Sequence, residues 1–205
     1  MSNLKQAIKQ NYVKCAKSPS YFINEFCVIQ HPQRGKIKFK LYPYQYDVLE
    51  EFETHDYNVV LKSRQLGIST LTAAYSLWLM LFHADKNVLC IATTKDTAKN
   101  LVTKVRIMYE GLPNWLKTAI VENNKLSLIF KNGSQIKAIA SNESAGRSEA
   151  LSLLILDEAA FIDKIDTIWT AAQQTLATGG RCIGISTPNG VGNWFHKTWV
   201  DAKDG

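Results

Sequence analysis

Cysteine is scarce in this chain and poorly placed for its structural uses. The four present, Cys15, Cys27, Cys90 and Cys182, form no C-x-x-C pair and have no histidine nearby at metal-ligand spacing, which excludes a disulfide framework and a zinc site. Cys90 and Cys182 lie inside apolar runs and read as core thiols. The four histidines, His31, His55, His83 and His196, are equally dispersed and read as surface or satisfied polar groups. Long hydrophobic runs are missing too. The longest, about Ala73 to Phe82, is too short to cross a bilayer, and no signal-like apolar core opens the chain, so a cytosolic protein without membrane contact is expected. There are no internal repeats, low-complexity tracts or Ser/Gly linkers, and one domain is the expectation. What is present, 46% hydrophobic and 20% charged residues, suffices for one substantial core. The net charge of +6 suits a polyanionic partner but is too diffuse to map a path for one.

The stretch Asn58 to Thr70 carries the first chemical signal. An apolar run, a short polar turn with Gly67 and a helix-like segment aim free backbone N–H groups and the positive end of a helix at one point, which is an anion site. In the phosphate-loop pattern G-x-x-x-x-G-K-[ST] the lysine reaches the outer phosphates and the hydroxyl holds magnesium. On that frame Gly67 takes the second glycine and Ser69 the hydroxyl, but Ile68 stands where lysine belongs and Lys62 where the first glycine belongs. An isoleucine cannot pair with a phosphate, so the missing charge falls to Lys62 or Arg64.

Leu4 to Cys15 has helical spacing with one apolar face. After Ser18-Pro19-Ser20, Tyr21, Phe22, Phe26 and Val28 to Ile29 make a second amphipathic piece, and His31 to Gly35 is a turn. Ile37 to Leu41 reads as a short strand, followed by Tyr42-Pro43-Tyr44-Gln45 and a helix through Val48, Leu49 and Phe52. The Gln45 amide offers a donor and an acceptor side by side, as the edge of adenine requires, and Tyr42 or Tyr44 can stack on the ring. Ser69 to Phe82 reads as a buried helix and Asn87 to Ala92 as a doubly covered strand, giving a βαβ unit. Thr93 to Thr97 caps a further helix with apolar residues from Ala98 to Tyr109. Leu126 to Phe130 and Ser134 to Ile139 flank Asn132-Gly133, a strong hairpin signal. A polar connection, Ala140 to Ala150, precedes the apolar strand Leu151 to Leu156.

That strand runs into Asp157-Glu158, placing two carboxylates at the carboxyl edge of a buried strand, where open α/β sheets bind ligands. One acid there can hold magnesium through water and its neighbour can orient or deprotonate an attacking water. The competing reading is a helix cap. Arg181 to Ile185 delivers Ser186-Thr187-Pro188-Asn189-Gly190 to the same edge, either a γ-phosphate sensor or a capped turn.

With these residues in order, the chain resembles the large terminase subunit of tailed bacteriophages, the ATPase that pumps DNA into a prohead. The resemblance runs from about Tyr21 to Trp199 and is densest at Phe39 to Gln45, Lys62 to Gly67, Gly146-Arg147-Ser148, Leu153 to Phe161 and Ser186 to Gly190. It implies an α/β fold of the P-loop NTPase (ASCE) type: a mainly parallel sheet with helices on both faces, a β-hairpin insertion and an amino-terminal helical segment. Residues 1–36 would be that segment and 37–205 the ATPase core. The resemblance further implies that Gln45, with Tyr42, reads adenine, that Lys62, Ser63, Arg64, Gln65, Leu66, Gly67, Ile68, Ser69 and Thr70 form the phosphate loop, and that Ser69 ligates Mg2+. Asp157 would hold the metal through water, Glu158 would activate the hydrolytic water, and Ser186 with Thr187 would couple hydrolysis to motion. Some members place the loop lysine early, as at Lys62. Arg147, in a serine- and glycine-rich segment, would be an arginine finger, the alternative being a solvated surface arginine.

The expected activity is hydrolysis of ATP with Mg2+ to translocate double-stranded DNA. The expected partners are the portal protein, the small terminase subunit and further copies in a ring, in the cytoplasm of the host cell. Large terminases carry a nuclease after the ATPase; its paired acids have no counterpart in this chain, nor are the last strand and lid of the ATPase core expected here. A helicase-like translocase and a nucleotide- or DNA-binding assembly module without turnover are the alternatives.

Overall fold

Strands that read as unbroken apolar runs are buried on both faces, and a sheet built from them fixes the direction of every side chain along its edge. A computed structural model of the chain describes residues 2–141 and 150–204. It opens with helices α1 (Ser2–Lys17) and α2 (Pro19–Phe26), the latter capped by the Ser18 hydroxyl, which accepts the Tyr21 N–H at 3.1 Å. An antiparallel ribbon follows, β1 (Val28–His31) and β2 (Gly35–Lys38), with His31 pairing Gly35 across the predicted turn. Next come α3 (Pro43–Thr54), β3 (Tyr57–Leu61), α4 (Ile68–Phe82), β4 (Asn87–Ala92) and α5 (Lys95–Gly111). The chain continues through β5 (Ile120–Asn123), β6 (Ser127–Phe130), β7 (Gln135–Ala140), β8 (Leu153–Asp157), α6 (Ile165–Leu176), β9 (Arg181–Ser186) and α7 (Trp194–Asp204).

The main sheet has seven strands in the order β3-β9-β8-β4-β7-β6-β5. The pairs from β3 to β7 are parallel, and β6 and β5 add antiparallel strands at one margin. The Asn132-Gly133 hairpin forms as expected, but its second strand, β7, pairs with β4 and belongs to the main sheet. At the other margin β3 has β9 as its one ladder partner among the described residues. Alternation along β8 sorts the core. Leu153 and Ile155 pack with α4 and α5, whereas Leu154 and Leu156 pack with Ile165, Ile168, Ala172 and Leu176 of α6. Helices therefore cover both faces.

Three local readings change. Val28 and Ile29, grouped with the second amphipathic piece, start β1 instead, since Cys27 leaves α2 in extended conformation and Phe39 N–H bonds the Cys27 carbonyl at 3.0 Å. The strand expected at Ile37 to Leu41 is β2, set earlier by its pairing with β1. His83 is neither a surface nor a satisfied histidine: its Nδ1 is buried without a partner among the described residues, and its ring stands edge-on to Trp78. All four cysteines are free and buried. None of the described helices is long and apolar enough to cross a membrane.

Ile155 is fully buried in the middle of the sheet, whereas Val121 is 69% exposed on β5. Ile155→Ala is expected to cost about 2–5 kcal/mol of unfolding free energy, against roughly 0.5 or less for Val121→Ala. Denaturant titration measures both.

Candidate nucleotide-binding site

The turn from β3 into α4 is held from two sides. Lys62 N–H donates to the Ser186 carbonyl at 3.0 Å, which extends the β3–β9 ladder into the turn. From the other side, the Gln45 amide donates to the Leu66 carbonyl at 3.1 Å and the Tyr44 hydroxyl to the same oxygen at 2.7 Å. The chain then passes through Gly67 at φ 72°, a left-handed conformation that favours glycine, and a Cβ there would stand 3.0 Å from the Gln45 amide nitrogen. Among the described residues, no protein acceptor is found for the backbone N–H groups from Ser63 to Thr70. Donors gathered at a helix start in this way suit an anion.

The acids meet this loop because of strand periodicity. Asp157 follows Leu153 and Ile155 on the face toward α4 and α5, and Ser69, in the first turn of α4, donates its hydroxyl to Asp157 Oδ1 at 3.2 Å. At Glu158 the backbone turns left-handed, φ 54°, a conformation that costs a non-glycine residue about 1–3 kcal/mol. Its carboxylate is clamped: Lys62 Nζ donates to Oε1 at 2.8 Å, and Thr187 donates to Oε2 from its N–H at 3.1 Å and from its hydroxyl at 3.0 Å. Ser186, fully buried, accepts the Ala160 N–H at 3.1 Å and donates to the Thr187 carbonyl. The β3–α4 loop, the acidic strand end and the turn after β9 therefore form one bonded unit.

Burial pushes the Glu158 carboxyl up, but the bonds from Lys62 and Thr187 outweigh it and hold it below the ordinary range. Asp157 goes the other way: burial raises it, against the opposing pull of Lys104, the Ser69 hydroxyl and Lys62. Lys104, on α5, was not singled out by the sequence reading. Burial pushes its ammonium down, against the attraction of Asp157. No motif marks it; the one sequence signal is a lysine among the apolar positions of an amphipathic helix.

The other expected site residues fall as follows. Ile68 is 3% exposed and belongs to the core, so it cannot face a phosphate. Arg64 is exposed on the loop beside Ser63, Gln65 and Leu66. Tyr42 and Tyr44 stack with ring centroids 5.8 Å apart, Tyr42 being 63% exposed. Gln45 is buried, and its Oε1 accepts the Tyr42 N–H at 3.1 Å while its nitrogen serves Leu66, so here the amide organises α3 and the loop. Thr70 is half-buried in the first turn of α4. Arg147, with Gly146 and Ser148, lies outside the described residues.

A hydroxyl and a carboxylate meeting at one point are hard oxygen donors that fit Mg2+, which keeps several waters and binds through few protein groups plus phosphate oxygens. The described residues contain no cluster of three or more His, Cys, Asp or Glu able to cage a metal.

Residues 59–205 match the family model described as terminase large subunit, T4likevirus-type, N-terminal. The FluMu protein gp28 of the Mu-like prophage of Haemophilus influenzae is 23% identical over 164 residues, covering 75% of this chain and 32% of that protein. The chain thus spans about a third of that relative's length. Among solved structures, the large terminase of bacteriophage HK97 superposes with a TM-score of 0.70 at 20% identity, over 92% of this chain and 41% of that one. The large terminase ATPase domain of Thermus phage P74-26 gives 0.64 at 23% identity, over 78% and 69%. At these identities the structural likeness is one of fold.

Because the Glu158 carboxyl is depressed in the folded state, the stability it contributes is present in full above its unfolded value, about 4.3, and disappears as pH falls through the folded value. The stability gap between the wild type and Lys62→Met is therefore expected to be largest near neutrality and to shrink below about pH 4. Thermal unfolding across pH measures it.

Proposed function

Since the chain belongs to the T4likevirus-type terminase large subunits through their N-terminal part, we propose that it binds ATP with Mg2+ and hydrolyses it to drive double-stranded DNA into a prohead. Residues 37–205 form the ATPase core in this reading, with residues 1–36 packed against it. The observation that carries it is the junction of the N–H groups of Ser63 to Thr70, without protein acceptors among the described residues, with two carboxylates, through Ser69–Asp157 at 3.2 Å and Lys62–Glu158 at 2.8 Å.

The chemistry follows from charge. The N–H groups of the loop cradle the phosphates, and the Tyr42–Tyr44 pair beside Leu66 offers a face to adenine. Gln45 has one donor and one lone pair beyond its present bonds, which reach the base when the loop shifts. Ser69 and Asp157 would hold Mg2+, which would supply positive charge against the phosphates of the nucleotide. Lys62 stands next to the loop with its ammonium on Glu158. An arriving γ-phosphate competes for that ammonium, and the released carboxylate takes a proton from the attacking water. Thr187 holds the other oxygen of the same carboxylate, so freeing and recapturing Glu158 loads and unloads the turn Ser186 to Gly190. Arg64 supplies a second phosphate contact, and Arg147 completes the site as the arginine finger. The portal protein, the small terminase subunit and further copies of the large subunit are the proposed partners, in the host cytoplasm.

Removal of the base, Glu158→Gln, is expected to lower ATP turnover by roughly 10²–10⁴ while nucleotide binding persists; steady-state ATPase assays with and without DNA, paired with binding titrations, measure this. Unchanged turnover would sink the assignment. Lys62→Ala is expected to weaken nucleotide binding or turnover far more than Ile68→Ala, whereas Ile68→Ala lowers the unfolding midpoint because its side chain is core. Equal losses of binding from both would remove Lys62 from its role.

A further inference from the structure

One cation near this site has no role in the foregoing scheme. Lys104 projects from α5, which lies beside α4 on the same face of the sheet. Its side chain is half-buried and shares a cavity of about 80 Å³ with Thr70 of the phosphate loop, the remaining wall being Val28, Ile29, Gln30, Ile107 and Met108. Among the described residues no hydrogen-bond or ion-pair partner is found for its ammonium. The other cations of the region are differently placed. Lys62 is closed on Glu158 at 2.8 Å, and Arg64 is exposed on the loop, where solvent and salt screen its charge. Lys104 is withdrawn from solvent, so its field is screened less. Asp157 lies within its field, which pulls that carboxyl down against the effect of burial.

An unpaired cation in a partly apolar wall is unfavourable unless an anion arrives to use its field. The anion in question is the one for which the N–H groups of Ser63 to Thr70 are arranged, since Thr70 both ends that row and lines the Lys104 cavity. We propose that Lys104 is a positioning residue of the site, a fixed positive charge behind the phosphate loop that adds, from a neighbouring helix, to the charge brought by Lys62. This rests on the nucleotide reading above. It makes phosphate affinity a property of α5 as well as of the loop, and it assigns Lys104 to the polyphosphate of the ligand and not to the base.

The test is a ligand series. AMP, ADP and ATP, each with and without Mg2+, are titrated by calorimetry into the wild type, Lys104→Met and Lys104→Arg. Methionine keeps the apolar stem and removes the charge, so the fold is expected to be at least as stable, as checked by thermal unfolding. ATP binding is expected to weaken roughly tenfold in Lys104→Met, ADP binding less and AMP binding hardly at all, with the loss shrinking at high salt and largely absent in Lys104→Arg. Should the methionine variant fail to fold, Lys104→Gln carries the same comparison. Unaltered ATP binding in the neutral variant, or an equal loss for all three ligands, overturns the proposal and leaves the nucleotide site standing. A wild type that binds none of them overturns both.

Discussion

A strand buried on both faces can end in charge only where the sheet itself ends, and the site depends on that constraint. Leu153 to Leu156 alternate between two cores, so the facing of Asp157 is decided before any ligand is considered: it must continue the side of Leu153 and Ile155, toward the start of α4. A shift of one residue in β8 would send the carboxylate toward α6 and break its bond to Ser69. The left-handed turn at Glu158 then diverts the second acid toward Lys62 and Thr187. Apolar packing supplies the precision, and the polar groups inherit it.

Much of this was legible in the sequence because the carrying elements have strong local signals. The apolar runs of β4, β8 and β9, the Thr94-capped helix α5 and the Asn-Gly hairpin all appear where periodicity and turn chemistry put them. The elements that escaped lack such signals. β5 is exposed along most of its length and carries a register shift, so it shows no alternation. α6 has apolar residues at helical steps but begins after Lys164 in a left-handed conformation and not after a capping side chain. At the site, the sequence identified the partners but not the bonds. Gln45 lies beside the loop with its amide turned inward by burial, and Ser186 is fully enclosed as a strut. The surroundings of Lys104 were not legible from its own helix, since Thr70, which shares its cavity, comes from a distant part of the chain.

The displaced lysine also has a physical explanation. A lysine in the place of Ile68 would have to face the loop's concavity, but that position points into the core, where the side chain is 3% exposed. Lys62, at the last step out of β3, has its backbone tied to Ser186 and its ammonium on Glu158. A cation on the strand side of the loop therefore joins loop and acid.

One feature of the sheet bears on how such a device can perform work. β3 lies at the margin and is stitched to β9 alone among the described residues, in parallel from Tyr57 opposite Cys182 to Leu61 opposite Ser186. Within the sheet, strain arising in β3 thus passes through that one ladder, which leads to Ser186 and Thr187, the residues beside the clamped carboxylate. In the proposed function the marginal strand would act as a tendon between the loop that holds phosphate and the turn that feels its departure.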